Sequence, residues 1–470
     1  MEYLRTIPNK GITKKGEIMS NDKYNRRKFL THSTAAMGGL ALAGMGLPFG
    51  ALAQNSVNNT TKTIRLGFVG IGGRGSWHLS VALGIEGVEV PAICDIDPAA
   101  LYRAKKWVEE SGQPTPKLYG EGPTAFQRLC EEEELDAVIV STSWKWHVPV
   151  CLAAMKNDKH AACEVPLIQT LDEAWELIVT FESTGKWASI VLGGFGDMTL
   201  LNMVQKGLLG DIIHVESGYV HDLRRVKFDP DEEPWRLQHA VNRNGNLYPD
   251  HPMRNMMPAL DINHGDRFDY LVSMSSKSVM LNKYAAEQYG EDSPYANIKM
   301  ALGDYNATLI RTVNGKMITL NHDTHTPHPR ETFRIQGTEG VYLKERDNSR
   351  IYIDGRSPQS HQWEPAEKYL KEYAHPIVKN YNPPARIGGD IRGHGSSIDQ
   401  TPQNWHRLIL ALRENKQPDW DTYDSVTSSA ISPITEASVA DSSKPKEFPD
   451  FTKRKWKNRR PMYENDDRLR

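Results

Sequence analysis

A glycine-rich turn, Gly70-Ile71-Gly72-Gly73-Arg74-Gly75, constrains this chain more than any other feature. It follows an apolar run, Ile64–Val69, and is answered by Asp95 just after a second run, Val88–Cys94. Strand, tight glycine turn, helix and then an acidic residue after the next strand make the fingerprint of a dinucleotide site. Gly70 and Gly72 let the backbone turn and approach a pyrophosphate, while Gly75 lets the following helix, read as Trp77–Leu83, pack closely on the strand. The helix N-terminus would face the anion, with Arg74 and Gly75 touching the pyrophosphate. Asp95 would accept hydrogen bonds from the adenosine ribose, which favours NAD over NADP because a 2′-phosphate beside a carboxylate is repelled.

The pattern around this turn predicts an α/β protein of two domains. Short Val/Ile-rich runs (Ile64–Val69, Val88–Cys94, Ala137–Ser141, His160–Glu164, Ser189–Leu192) alternate with helical stretches such as Ala99–Ser111, His147–Lys156 and Leu171–Thr184. Such alternation implies a parallel, doubly wound sheet, an N-terminal Rossmann domain over 63–190. From Ile212 the runs alternate apolar and polar residues between turn signals such as Asn314-Gly315 and Thr338-Glu339-Gly340. The expectation is a C-terminal α/β domain over 191–455 with a large, mostly antiparallel open sheet, then a polar tail over 456–470. One long helix, Pro258–Ser275, would interrupt the sheet, and an aperiodic stretch from Arg225 to Pro258 reads as an ordered, site-forming loop. A second irregular stretch, Ser357–Ile398, precedes helices over Pro402–Glu414 and Asp424–Ala440.

With 57 basic against 59 acidic residues the net charge is −2, so no long-range field draws nucleic acid or anionic lipid. Neutral partners such as sugars suit that balance better. Paired arginines in Asn25-Arg26-Arg27-Lys28-Phe29-Leu30 precede a Gly/Ala-rich stretch, Ala35–Phe49, and a small-residue motif, Ala51-Leu52-Ala53. Residues 1–53 therefore resemble a twin-arginine export signal, started at Met1 or Met19 and cleaved near Ala53, which places the mature protein in the periplasm or otherwise outside the cytoplasm. The stretch is too short and too rich in glycine for a stable membrane anchor. Cys94, Cys130, Cys151 and Cys163 show no C-x-x-C pairing and read as small buried hydrophobes. His322-x-x-His325-x-x-His328 would share one face of a helix, but the segment reads as a strand end running into Pro327 and Pro329, so no metal site is expected.

The order of motifs is similar to that of a known family. A glycine turn, a Glu-x-Pro after the Rossmann strands (Glu164-Val165-Pro166) and a C-terminal sheet domain resemble the Gfo/Idh/MocA oxidoreductases. Trp144-Lys145-Trp146-His147, Cys163-Glu164-Val165-Pro166, His221-Asp222-Leu223-Arg224, Gly245-Asn246-Leu247-Tyr248-Pro249-Asp250-His251, Asp261-Ile262-Asn263, Gly393-His394-Gly395 and Phe448-Pro449-Asp450-Phe451-Thr452 narrow the resemblance to glycoside hydrolase family 109. That resemblance implies an NAD-dependent α-N-acetylgalactosaminidase-like enzyme, in which the sugar is oxidised at C3, loses its aglycone by elimination, takes up water and is reduced again. It also implies a carbohydrate substrate and a homo-oligomer paired through the open sheet.

The resemblance assigns roles to particular residues. Cofactor binding falls to Gly70, Gly72, Arg74, Gly75, Asp95, Trp144, Trp146, His147, Glu164 and Val165, with the tryptophans forming a wall at the carboxyl end of a buried strand. Many dehydrogenases of the superfamily carry a lysine where this chain has Val165, and a valine cannot shuttle protons. Tyr248 and His251 are the candidate catalytic acid and base, since an imidazole both takes and returns a proton near neutral pH. Arg224, Tyr248, Pro249, Asp250 and His251 would face the substrate. The chain departs from the family at Leu192-Gly193-Gly194-Phe195-Gly196-Asp197 and at His325-Thr326-Pro327-His328-Pro329, where sugar-contacting tyrosines are expected, at Ser396-Ser397, and at His264 in place of Arg. A sugar oxidoreductase that leaves a keto-sugar, and a non-catalytic sugar-binding module, are the alternatives.

Overall fold

The computed structural model describes residues 62–190, 197–229, 232–330, 332–345, 348–376, 387–388 and 401–463. The export-signal motif, the segment from Leu192 to Gly196, the Gly393-His394-Gly395 motif and Ser396-Ser397 lie outside them.

Six parallel strands form the first sheet: β1 (Ile64–Val69), β2 (Val88–Cys94), β3 (Lys117–Tyr119), β4 (Ala137–Val140), β5 (His160–Cys163) and β6 (Ala188–Ser189), in the order β3-β2-β1-β4-β5-β6. The crossovers are α1 (Gly73–Ala82), α2 (Pro98–Glu110), α3 (Phe126–Glu132), α4 (His147–Lys156) and α5 (Leu171–Thr184). Local chemistry sets their ends. Asp97 caps α2 ahead of Pro98, and Thr170 with Glu173 forms a capping box on α5, which Gly185 ends in the left-handed region. Strand β4 is buried along its length, as a strand covered on both faces must be. All four cysteines are buried and free.

After α6 (Met198–Gln205) comes β7 (Ile212–Val220), then three helices, α7 (Arg224–Phe228), α8 (Trp235–Asn242) and α9 (Asp250–Ala259). The stretch read as one ordered loop thus folds into short helices, whose apolar positions are too few to show a period in the sequence. The long helix expected over Pro258–Ser275 is absent. Pro258 lies in the last turn of α9, and positive φ at Asp261, Asn263 and Gly265 reverses the chain into a strand, β8 (Phe268–Ser275). Its Ser273 N–H donates to the Ser438 hydroxyl.

Two helices follow, α10 (Met280–Tyr289) and α11 (Pro294–Asn297). The remaining strands are β9 (Asn306–Thr312), β10 (Met317–Asp323), β11 (Thr332–Gly337), β12 (Gly340–Glu345), β13 (Asn348–Ile353), β14 (Glu364–Pro365) and β15 (Lys446–Glu447). The second sheet runs β14-β13-β12-β11-β7-β10-β9-β8-β15, antiparallel except for the parallel pair β7 and β10. Among the described residues three further α-helices follow: α12 (Glu367–Glu372), α13 (Thr401–Arg413) and the nearly buried α14 (Thr422–Ala440). The segment read as a polar tail begins folded, with Arg459 paired to Asp421 and Asp424 and with Met462 and Tyr463 buried. No helix among the described residues is long and apolar enough to cross a membrane.

Candidate active site

The glycine turn joins β1 to α1 in the geometry a diphosphate requires. Gly70 has φ +89, and a Cβ there would lie 2.7 Å from the Ser141 carbonyl carbon. A Cβ on Gly75 would lie 1.9 Å from the Gly70 oxygen, whereas one on Gly72 would meet nothing within 4 Å. The first and third glycines are therefore required by the fold, and the second leaves the space a ligand backbone contact needs. No side chain caps the N-terminus of α1, so its first N–H groups are open to an anion. Asp95 accepts the Ile71 N–H at 2.5 Å with one carboxylate oxygen and the Asp97 N–H at 2.9 Å with the other. Each oxygen keeps acceptor capacity for a ribose hydroxyl. These residues fit a bound dinucleotide. Arg103, overlooked in the sequence, braces the turn by donating to the Ile71 carbonyl at 2.9 Å.

The Arg74 side chain reaches the Glu-Val-Pro turn. Its Nε donates to Glu164 Oε1 at 2.9 Å, and His78 Nε2 lies 2.6 Å from the same oxygen. Burial by itself would raise this carboxyl, but the Arg74 guanidinium and His78 hold it well below the usual range. Val165 is buried next to it, across a cis bond to Pro166, and its carbonyl accepts the Tyr248 hydroxyl at 3.2 Å.

The two tryptophans after β4 diverge. Trp144 stacks on Tyr248, with ring centroids 5.4 Å apart and planes at 17°, and also packs on Trp235 and His239. Trp146 turns to Phe126 on α3 instead, 5.9 Å away, so the expected pair does not form one wall. His147 is buried with Nδ1 2.7 Å from the Pro166 carbonyl and Nε2 3.0 Å from the Thr142 carbonyl. Both of its nitrogens are thus engaged by backbone carbonyls.

Tyr248 and His251 meet as expected, but on a helix end and not in a loop. Pro249 is the N-cap of α9, and Asp250 and His251 open its first turn. Tyr219, from the end of β7, joins them: its ring is 4.6 Å from Tyr248 and 5.1 Å from His251, stacked on the latter at 20°. Burial, then Arg254, lowers His251 well below its ordinary pKa, and burial raises Tyr248 well above its own. The imidazole is thus held neutral and the phenol protonated, a base and an acid side by side.

Asp250 and Arg224 are both engaged with other side chains. Asp250 is buried and accepts the Ser428 and Ser429 hydroxyls at 2.6 and 2.8 Å, so it anchors α9 on α14. Ser429 also accepts the Leu167 N–H at 2.9 Å, which ties the Glu-Val-Pro turn to the same anchor. Arg224 pairs with Asp222 at 2.7 Å and lies over Tyr284. It is Arg236, in Trp235-Arg236, that lies against the Tyr248 cluster. Its guanidinium lies 5.1 Å from the ring centres of both Trp144 and Tyr248 and is ion-paired to Glu233. An arginine beside a tryptophan in the aperiodic stretch was the available signal. Where a tyrosine is usual, His325 is buried with Nδ1 3.3 Å from Asp304, while His328 is exposed, so the histidine triplet does not converge.

Comparison with known proteins places this geometry. The model of the oxidoreductase family with an NAD-binding Rossmann fold matches residues 64–191, and that of the glycosyl hydrolase 109 C-terminal domain matches residues 196–458. The chain is 37% identical to a glycosyl hydrolase family 109 protein of Solibacter usitatus, over 94% of this chain and 100% of that one. It is 34% identical to an alpha-N-acetylgalactosaminidase of Tannerella forsythia, over 93% of this chain and 99% of the relative. Among solved structures, levoglucosan dehydrogenase in complex with NADH and levoglucosan shares the fold at TM-score 0.60 and 17% identity, covering 83% of this chain and 100% of that chain. An inositol dehydrogenase homolog from Azotobacter vinelandii complexed with NAD+ does so at TM-score 0.59 and 18% identity, over 82% of this chain and 98% of that one.

Proposed function

The chain belongs to glycoside hydrolase family 109, as an NAD-dependent glycosidase built on the Gfo/Idh/MocA fold, and from that premise we propose that it releases an α-linked N-acetylgalactosamine-like sugar through transient oxidation at C3. Held by the Gly70–Gly75 turn and Asp95, NAD would supply hydride acceptance at C3 and its return, with the C3 hydroxyl proton released to solvent on oxidation and recovered on reduction. The C3 ketone acidifies the C2 proton, which the neutral His251 imidazole removes and later restores. Tyr248, held protonated, gives its proton to the departing oxygen and regains one from the water that adds at C1, while Arg236 holds a hydroxyl or amide oxygen of the sugar. Loss of the aglycone gives an unsaturated ketone. Water then adds at C1, C2 regains its proton and C3 is reduced, so the net change is hydrolysis.

The observation that carries this reading is the Tyr219-Tyr248-His251 cluster, joined through the Tyr248 hydroxyl to Val165, where the superfamily's proton-shuttling lysine is missing. A panel of aryl α-glycosides assayed without added NAD tests it. Repeated release of the phenol is expected. A single stoichiometric burst of NADH would favour the keto-sugar oxidoreductase.

Two coarser expectations extend the proposal. The open face of the second sheet exposes Tyr270, Met274, Leu309 and Met317 on adjacent strands, an apolar stripe suited to pairing with a second copy. Arg26-Arg27 and the Gly/Ala-rich stretch after them support export of the folded, cofactor-loaded protein. An Arg26→Lys/Arg27→Lys variant should remain in the cytoplasm, and normal export of that variant would remove this part of the proposal.

A further inference from the structure

We propose that Trp405 and His78 are positioning residues for the cofactor-binding turn, with Trp405 locking the His78 imidazole in its Nε2–H form so that this N–H holds the Glu164 carboxylate. The proposal rests on NAD being held beside Glu164, not on the identity of the sugar or the net reaction. The geometry is a short buried relay. Trp405 Nε1 lies 3.1 Å from His78 Nδ1, and His78 Nε2 lies 2.6 Å from Glu164 Oε1. An indole N–H can only donate. His78 Nδ1 must therefore present its lone pair, which leaves the ring proton on Nε2, facing the carboxylate. An imidazolium would set N–H against N–H at the Trp405 end, so the relay selects the neutral ring.

Burial makes the selection firm. His78 and Trp405 are both 0% exposed, and no solvent competes for either bond. Trp405 is itself clamped, stacked on Phe68 of β1 at 6.3 Å and tilted against the His78 ring at 5.8 Å. Glu164 Oε1 thus receives one guanidinium N–H from Arg74 and one neutral N–H from His78, while Oε2 accepts the Val165 N–H at 3.2 Å. The carboxylate is oriented from three sides, and the free acceptor capacity of Oε2 points its recognition in one direction. Trp405 belongs to α13, near the far end of the chain. A helix from the C-terminal part therefore reaches back to a turn encoded some 240 residues earlier, as Trp405 and Glu164 lie 241 positions apart.

Nitrogen-15 NMR of histidine-labelled holoenzyme reads the ring directly: His78 should show a protonated Nε2 and an unprotonated Nδ1. Trp405→Phe keeps the ring packing and removes the donor, and it should raise the NAD dissociation constant about tenfold with little change in Tm, as loss of one such bond predicts. His78→Gln, which can still present an N–H to Glu164, should bind NAD more tightly than His78→Leu. A wild-type ring protonated at Nδ1, or unchanged NAD affinity in Trp405→Phe, overturns the proposal. If Trp405→Phe does not fold, the wild-type ring and the Gln/Leu pair still decide it. Failure to hydrolyse glycosides without added NAD would count against the glycosidase reading and leave these outcomes untouched.

Discussion

His251 stacks on Tyr219 and sits one helical turn before Arg254, so its neutral form is set by burial and by a cation on its own helix. His251→Ala should lower kcat/KM at least ~100-fold while NAD content stays at the wild-type level; full activity would reduce the protein to a sugar-binding module. Arg236 and Arg224 separate by the same logic. Arg236→Ala should cost about 100-fold in kcat/KM and Arg236→Lys should recover little, because a planar guanidinium lies between two aromatic faces. Arg224→Ala should stay within about threefold in kcat/KM, since the Arg224 guanidinium is taken up by Asp222 and Tyr284. Burial pushes the Asp250 carboxyl up to about 6 from 3.8. Its raised value means that the native state binds this proton more tightly than the unfolded chain does. Stability from this group is therefore present below about pH 4 and is lost as pH rises through about 6, by roughly 3 kcal/mol. Asp250→Asn should remove that dependence, and parallel urea-unfolding profiles of the two proteins from pH 4 to 7 would refute the assignment.

Among the elements, the β1-turn-α1 unit was legible because each of its glycines answers a local constraint. Gly75→Ala places a methyl 1.9 Å from the Gly70 oxygen and should destabilise the apoprotein by about 1–3 kcal/mol or more, seen as a lowered Tm. Gly72→Ala has room in the fold, so its expected signature is the reverse, an unchanged apoprotein Tm with weakened NAD binding. Strand β8 was misread for a physical reason. Phe268-Asp269-Tyr270-Leu271-Val272 fits both periods, and only pairing with β9 and β15 selects the extended form. The short helices α7 and α8 were missed because their stability comes from the residues they pack against and not from their own pattern.

For the whole molecule, the apolar stripe of Tyr270, Met274, Leu309 and Met317 predicts self-association through the second sheet. Leu309→Lys with Met317→Lys should shift the sedimentation coefficient to that of a monomer while leaving NAD content unchanged. An identical sedimentation profile for the double variant would place the interface elsewhere. The Glu-Val-Pro turn, α9 and α14 are bound together through Ser429 and Asp250, so cofactor and substrate halves share one anchor. That link joins residues far apart in sequence and leaves no local trace.

What the amino-acid order determined alone was the class of fold and the dinucleotide turn answered by Asp95, while Val165 and the Tyr248/His251 pair took their meaning from the resemblance to a family. The turn with Asp95 is a local pattern whose meaning depends on a few neighbouring residues. Tertiary structure decided which charged and aromatic side chains reach the site. It laid Arg236 on Trp144 and Tyr248 and Arg224 on Tyr284, engaged Asp250 and His147 in buried hydrogen bonds, turned Trp146 towards Phe126, and brought Trp405 to His78. Those outcomes depend on which distant surfaces bury one another, and burial fixes both the partner and the protonation state of a side chain.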